Sequence, residues 1–291
     1  MTVRRTLPHR SRSFVGAWCF LDHYGPDDVT RTGGMDVPPH PHTGLATVSL
    51  LFEGEVEHRD TLGTHALVRP GEVNLMTAGH GIAHSEVSTP TTSVLHGVQL
   101  WLASPDTVRD GPRVFENYAA PVLEVAPGVR ARVYIGSLAG YAAPVATATP
   151  LLAAEIDLAP GATWTIPADP RHEHAVLADT VPVTLEDTVL APGELGVVDA
   201  GPPALTVRAE DIPARLLLLG GEPFEEEIVM WWNFIARSDA ELRTMREQWQ
   251  DDVARGERYG MVAGYTGDVD WLPAPQIPAV RLRPRGRLGH R

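Results

Sequence analysis

A stretch of ten residues occurs twice in this chain, and the repeat limits the fold more than any other feature. Pro70-Gly71-Glu72-Val73-Asn74-Leu75-Met76-Thr77-Ala78-Gly79 is echoed by Pro192-Gly193-Glu194-Leu195-Gly196-Val197-Val198-Asp199-Ala200-Gly201. Both copies open on Pro-Gly-Glu, close on Ala-Gly and are apolar between. A His-x-His lies upstream of each, His40-Pro41-His42 before the first and His172-Glu173-His174 before the second. The pattern is that of a duplicated unit whose second copy has the shorter internal loop. Two copies are too few for a solenoid, so two packed barrels are expected.

The unit itself reads as β structure. Residues 47–52 are rich in strand formers and stop at Glu53-Gly54, Val68-Arg69-Pro70-Gly71 makes a turn, and residues 94–102 form a long extended run. With 27 Gly and 26 Pro among 291 residues, turns recur often enough for a sandwich or barrel. Only near the end does the period change. Ser238-Asp239-Ala240-Glu241 is a capping box, and Leu242, Met245, Trp249 and Val253 then recur on one helical face, with Gly256 as a stop. This helix is expected to pack against a barrel, followed by an extended segment over 271–284. The resulting division is a first barrel over 1–128, a second over 129–225, and a C-terminal helix and tail over 226–291.

Composition removes several classes of function. The chain has no lysine, so all 24 basic residues are arginines, and its formal net charge is −13. Such a field repels a polyanion, so direct nucleic-acid binding is not expected. Arg281, Arg283, Arg285, Arg287 and Arg291 form a basic end that reads as a solvated tail. Cys19 is the single cysteine, which suits a reducing compartment, the cytoplasm. No segment approaches the ~18 consecutive apolar residues of a membrane span. The N-terminus lacks a signal-peptide cleavage pattern.

Two pairs of residues carry the chemistry. His40 and His42 are two apart, so on a strand both imidazoles leave the same face, and His84 and Glu86 repeat that spacing. If both strands face one barrel interior, three imidazoles and a carboxylate converge. That set suits Fe(II), Mn(II), Ni(II), Cu(II) or Zn(II). Pro39 and Pro41 stiffen the first strand. Gly34 followed after five residues by His40-x-His42 matches the first cupin motif, and Pro70 with His84 beyond it matches the second in loosened form.

The longer context resembles one family. His40-Pro41-His42-Thr43-Gly44-Leu45-Ala46-Thr47-Val48, Glu53-Gly54-Glu55, His58-Arg59-Asp60, Met76-Thr77-Ala78-Gly79 and His84-Ser85-Glu86 are similar to the pirins. The likeness runs from Phe20-Leu21-Asp22-His23-Tyr24-Gly25-Pro26 to Trp231-Trp232-Asn233-Phe234. It implies an all-β bicupin, two tandem double-stranded β-helix (jelly-roll) barrels with a C-terminal amphipathic helix. It also implies a metal, usually iron, in the first barrel only, held here by His40, His42, His84 and Glu86. The chain departs from the pattern at Ala46, where many pirins have Glu, at Thr61, a frequent serine, and at His80, a common Arg. A histidine there leads one to expect the mouth of the site to titrate near neutral pH.

Other residues invite blander readings. His58 and His65 fall on a hairpin between the motif halves and read as structural or surface residues, within reach of the ligands' outer surroundings. Aligning Pro192 with Pro70 puts Thr206 and Arg208 at the positions of His84 and Glu86, so the second barrel, despite His172 and His174, lacks a ligand set. Gln99 and Trp101 share a strand face and are candidates for the pocket wall, although ordinary packing suits Trp101. Cys19 reads as a buried, inert thiol.

Four protein ligands on an octahedral ion leave two positions free, enough for a substrate with neighbouring oxygens to chelate there and become activated for reaction with O2. The pirin resemblance implies a metal-dependent dioxygenase of quercetin 2,3-dioxygenase type, acting on an aromatic or enolic small molecule, with Glu86 able to take a proton as well as bind metal. It equally implies an alternative, a non-enzymatic iron-binding regulator that answers to redox state and binds a protein partner.

Overall fold

Strands dominate, and they fall into two copies of one pair of antiparallel sheets. The computed structural model describes residues 1–253 and 255–288, which leaves Arg291 of the basic end outside. In the first copy a six-stranded sheet runs in the order Val3–Leu7, Trp18–Asp28, Val94–Ala103, Leu45–Glu53, Glu72–Thr77, Val114–Ala119. Its four-stranded companion is Asp36–His42, Ile82–Ser88, Val56–Asp60, His65–Val68. The second copy repeats both. Its larger sheet is Leu123–Ala126, Val129–Ile135, Leu151–Leu158, Ala214–Gly221, Glu173–Ala178, Leu195–Val198, and its smaller is Thr163–Pro167, Ala204–Arg208, Val183–Leu185, Thr188–Leu190. Two cupin barrels result, as the repeat predicts. The turn at 127–128, the expected boundary, joins two strands of the same sheet.

Alternation along the strands assigns each barrel its interior. Val48, Leu50, Val98, Leu100, Leu217 and Leu219 leave the two larger sheets on facing sides and merge into one core between the barrels. The opposite faces differ sharply. The second barrel is filled with apolar groups, among them Trp164, Ile166, Val176, Leu205, Val207 and Leu218. The first encloses buried His40, His42, Ser49, His58, Asp60, Asn74, His84 and Glu86. Burying that many polar groups is costly unless partners satisfy them, which marks the first barrel as the candidate site.

Two details differ from the sequence reading. His172 and His174 sit at the entry to the strand Glu173–Ala178, the counterpart of Leu45–Glu53, whereas His40 and His42 lie on the preceding strand. The second His-x-His therefore does not repeat the first. Thr206 and Arg208 also prove to point away from the second barrel's interior, where Leu205 and Val207 stand instead. A strand's side chains have a period of two, so a one-residue phase difference exchanges inside for outside.

The helix Asp239–Asp252 forms as the capping box predicts. Ser238 accepts from the Glu241 N–H at 3.2 Å, while the Glu241 carboxylate accepts the N–H of Arg237 at 2.8 Å. Leu242, Met245 and Trp249 are buried against the hairpin Val229–Trp231/Phe234–Ala236 and against Ala83, the neighbour of His84. Residues 271–284 carry no regular structure but are held in place. The Leu272 N–H donates to Pro39 at 2.8 Å and the Trp249 indole to Leu272 at 2.9 Å. The basic end is less free than expected, because Arg285 pairs through its backbone with Ile228 and Arg287 reaches Glu173 at 2.7 Å. Among the described residues no helix is long and apolar enough to cross a membrane.

Candidate metal centre

The strands Asp36–His42 and Ile82–Ser88 are neighbours in the smaller sheet, in a register that sets His40 opposite His84 and Val37 opposite Glu86. The next strand, Val56–Asp60, sets His58 opposite Glu86 and Asp60 opposite His84. Paired residues project to the same side, so these six form one inward patch. Beyond His42 the chain turns at Gly44, whose φ of +70° suits glycine and where a Cβ would stand 2.2 Å from the Ile235 carbonyl oxygen.

The nitrogens of His40, His42 and His84 lie within 4.8 Å of one another, and the Nε2 atoms of His42 and His84 are 3.0 Å apart. Burial, tempered by a bond to Pro38, holds the His40 imidazole down at about 4. His42 and His84 are pushed well below the usual range, first by burial and then by neighbouring imidazoles. Three neutral rings thus present lone pairs to one another in a closed space. Neutral imidazole is the form that binds transition ions, so the donor set fits a divalent metal.

Hydrogen bonds outside this trio choose its tautomers. His40 donates from Nδ1 to the Pro38 carbonyl at 2.9 Å, which frees Nε2. Asp60 lies 3.1 Å from His58 Nε2, and His58 Nδ1 lies 3.4 Å from His84 Nδ1. Burial raises the Asp60 carboxyl, but His58 and the turn at Thr64 outweigh it and hold the group below its ordinary value. A charged Asp60 accepts a hydrogen bond from the His58 Nε2–H, His58 Nδ1 then accepts from the His84 Nδ1–H, and His84 Nε2 is left bare. His58 is thus a member of the site that sequence reasoning set aside. Its signal was present in the i, i+2 spacing with Asp60. His65 remains exposed beside Glu57.

Glu86 enters a second trio, with His58 and His84, so His84 is the residue the two trios share. Burial raises the Glu86 carboxyl, opposed by His58 and Ser49. Ser49 lies 3.2 Å from Glu86 and 2.9 Å from Gln99. The one hydroxyl bonds both if it donates to Glu86 and accepts from the Gln99 amide N–H. Trp101 meets the His42 ring edge-on at 5.4 Å and stacks on Phe20 at 4.0 Å, so it both packs and walls the site. His80 is exposed at the preceding turn, near Gly111. Burial raises the Cys19 thiol to about 12.

Two tandem cupin barrels, one lined by histidines and one filled with apolar side chains, define a bicupin. Comparison with known proteins gives the family. The Pirin family model matches residues 1–102 and the Pirin C-terminal cupin domain model matches 153–254. A Pseudomonas aeruginosa protein named "putative quercetin 2,3-dioxygenase" is 40% identical over 96% of this chain and 86% of its own length. A pirin-like protein of Caulobacter vibrioides is 33% identical over 85% of this chain and 88% of its own. A crystal structure from Acinetobacter baumannii, titled quercetin 2,3-dioxygenase, superposes with a TM-score of 0.90 at 38% identity, covering 97% of this chain and 92% of that one. The chain belongs to the pirin family.

Proposed function

We propose that this pirin is a metal-dependent dioxygenase whose ion, iron(II) foremost, is held by His40, His42, His84 and Glu86. One observation carries the reading, the three neutral imidazoles buried within 4.8 Å of one another inside the first barrel. The names of the relatives from Pseudomonas and Acinetobacter support an aromatic or enolic substrate such as a flavonol. A bound ion would supply the centre at which neighbouring substrate oxygens and O2 are brought together.

The chain's own residues prepare that encounter. His58 and Asp60 fix the ring of His84, and Pro38 fixes that of His40. Glu86, with its proton affinity raised by burial, is placed to take the proton of a substrate hydroxyl, and Ser49 steadies it. Trp101 offers an aromatic wall beside His42.

The test combines elemental analysis with O2 uptake on quercetin and related flavonols. Bound metal and oxygen consumption are the expected results, with consumption and the first-barrel ion both lost in His84→Ala. Metal without consumption on any flavonol removes the enzyme and leaves a metal-binding regulator, to be pursued by redox-dependent capture of a protein partner. A chain that binds no metal refutes both.

A further inference from the structure

A second group of ligand-type side chains lies outside the first barrel, in the seam between the two. His23 comes from the strand Trp18–Asp28 and His96 from Val94–Ala103, on the face that meets the second barrel. Asp179 follows the second-barrel strand Glu173–Ala178. All three are buried. His23 Nε2 is 3.0 Å and His96 Nε2 2.7 Å from Asp179 Oδ1, and the two nitrogens are 3.3 Å apart.

We propose that His23, His96 and Asp179 form a second metal site, for zinc or a like divalent first-row ion, that ties one barrel to the other. The three donor atoms make a triangle small enough for one ion to sit just above its plane at the ~2.0–2.2 Å of zinc bonds to imidazole and carboxylate. Two imidazoles and one carboxylate are a recurrent donor set for such ions. Each ring would carry its proton on Nδ1 and offer Nε2 to the ion.

The surroundings favour a cation. Arg215 lies 3.5 Å from Asp179 Oδ2, which turns the free oxygen Oδ1 toward the two rings. That guanidinium rests over Phe52 at 4.9 Å, and the Phe52 ring also meets His96 edge-on at 5.0 Å. Arg215 is faced by Glu155 and Asp157 as well, at 3.4 and 3.5 Å, and Arg130 lies 3.7 Å from Asp157, so three carboxylates meet two arginines. A dication offsets that excess. The group opens on a cleft of about 690 Å³ between the barrels, lined also by Glu53, Glu124 and Asp157 and by Arg130 and Arg215, so acidic side chains outnumber basic ones along a cation's approach and there is room for water as the fourth ligand. The rival occupant of the same geometry is a pair of N–H donors sharing one carboxylate oxygen, with no ion.

Zinc stoichiometry separates these, read by elemental analysis on the full chain after stripping and reloading with zinc alone. Two ions per wild-type chain, one in Asp179→Asn and one in His84→Ala, is the expected pattern. Should the first-barrel site be misread, wild type holds one ion that survives His84→Ala and is lost in Asp179→Asn, and the seam site stands on its own. Zinc content unchanged by Asp179→Asn, or abolished by His84→Ala, overturns the seam site. His96→Gln, checked for folding by circular dichroism, repeats the measurement if Asp179→Asn fails to fold. Cobalt(II) loaded into His84→Ala should give the visible absorption of a tetrahedral site, and that band should vanish when His96→Gln is added.

Discussion

His58 makes no demand on the metal directly, yet it decides which nitrogen His84 can offer. Its Nε2 faces Asp60 at 3.1 Å and its Nδ1 faces His84 at 3.4 Å, so a residue that cannot relay these bonds releases the ring of His84. His58→Gln is therefore expected to weaken metal binding by roughly 10–100-fold, the usual cost of losing such a supporting partner. Competition with a chromophoric chelator measures it, and an affinity equal to wild type would falsify the relay. Asp60→Asn keeps the Oδ1 that accepts from Leu62 and Thr64, so the turn should survive while the affinity falls in the same direction. The proposed ligands were legible in the sequence because His-x-His and His-x-Glu state their strand face by spacing alone. His58 was passed over because it stands between the motif halves, although His58-Arg59-Asp60 has the same spacing. What the sequence could not say is that its strand pairs with the one bearing Glu86, which is a fact of register.

At the next scale the helix Asp239–Asp252 is an external brace for the ligand strand. Leu242, Met245 and Trp249 share a cluster with Ala83, and the Thr43 hydroxyl, next to His42, reaches the Met245 sulfur at 3.2 Å. Ser238→Ala removes the acceptor for the Glu241 N–H and should cost about 1 kcal/mol in urea denaturation, with the metal site unaffected. Gly44→Ala is expected to cost more and to disturb the site as well. Its backbone is left-handed and its Cβ would meet the Ile235 carbonyl oxygen at 2.2 Å, so the turn after His42 or the hairpin beneath it must shift. Equal stability of Gly44→Ala and wild type would show that the turn yields more readily than this geometry allows. The helix could be read from its cap and period because both are local. The phase of the second barrel could not. Aligning Pro192 with Pro70 counts residues, whereas the inward position of Leu205 rather than Thr206 depends on how the strand Ala204–Arg208 is pleated against Thr163–Pro167.

Across the whole molecule the barrels are joined by a continuous apolar core and, at its margin, by charge. Leu7, Phe14 and Trp18 from the N-terminal segment share that core with Tyr134, Leu217 and Leu219 of the second barrel. Glu173, fully buried, is held by Arg12 at 2.6 Å, Arg287 at 2.7 Å and the Gly16 N–H at 2.9 Å, so the N-terminal segment and the C-terminal tail meet on one second-barrel carboxylate. A buried charge so fully partnered is costly to lose, because each bond to it contributes about 1.5–3 kcal/mol. Glu173→Gln keeps the shape and removes the charge. Arg287 is partly exposed and can turn to solvent, while Arg12 keeps Asp199 as a partner at 2.7 Å, so the net loss should be about 2–4 kcal/mol rather than the full sum. The shared core predicts the form of unfolding too. Neither larger sheet can expose its inner-facing leucines without exposing its partner's, so the barrels should unfold in one transition. Glu173→Gln should lower the midpoint of that transition without splitting it. Tryptophan fluorescence and circular dichroism followed through the same urea titration decide the matter. Two separated transitions in wild type would mean that the seam is a contact between independent barrels, and coincident curves that shift together in the variant would mean that it is part of a single core.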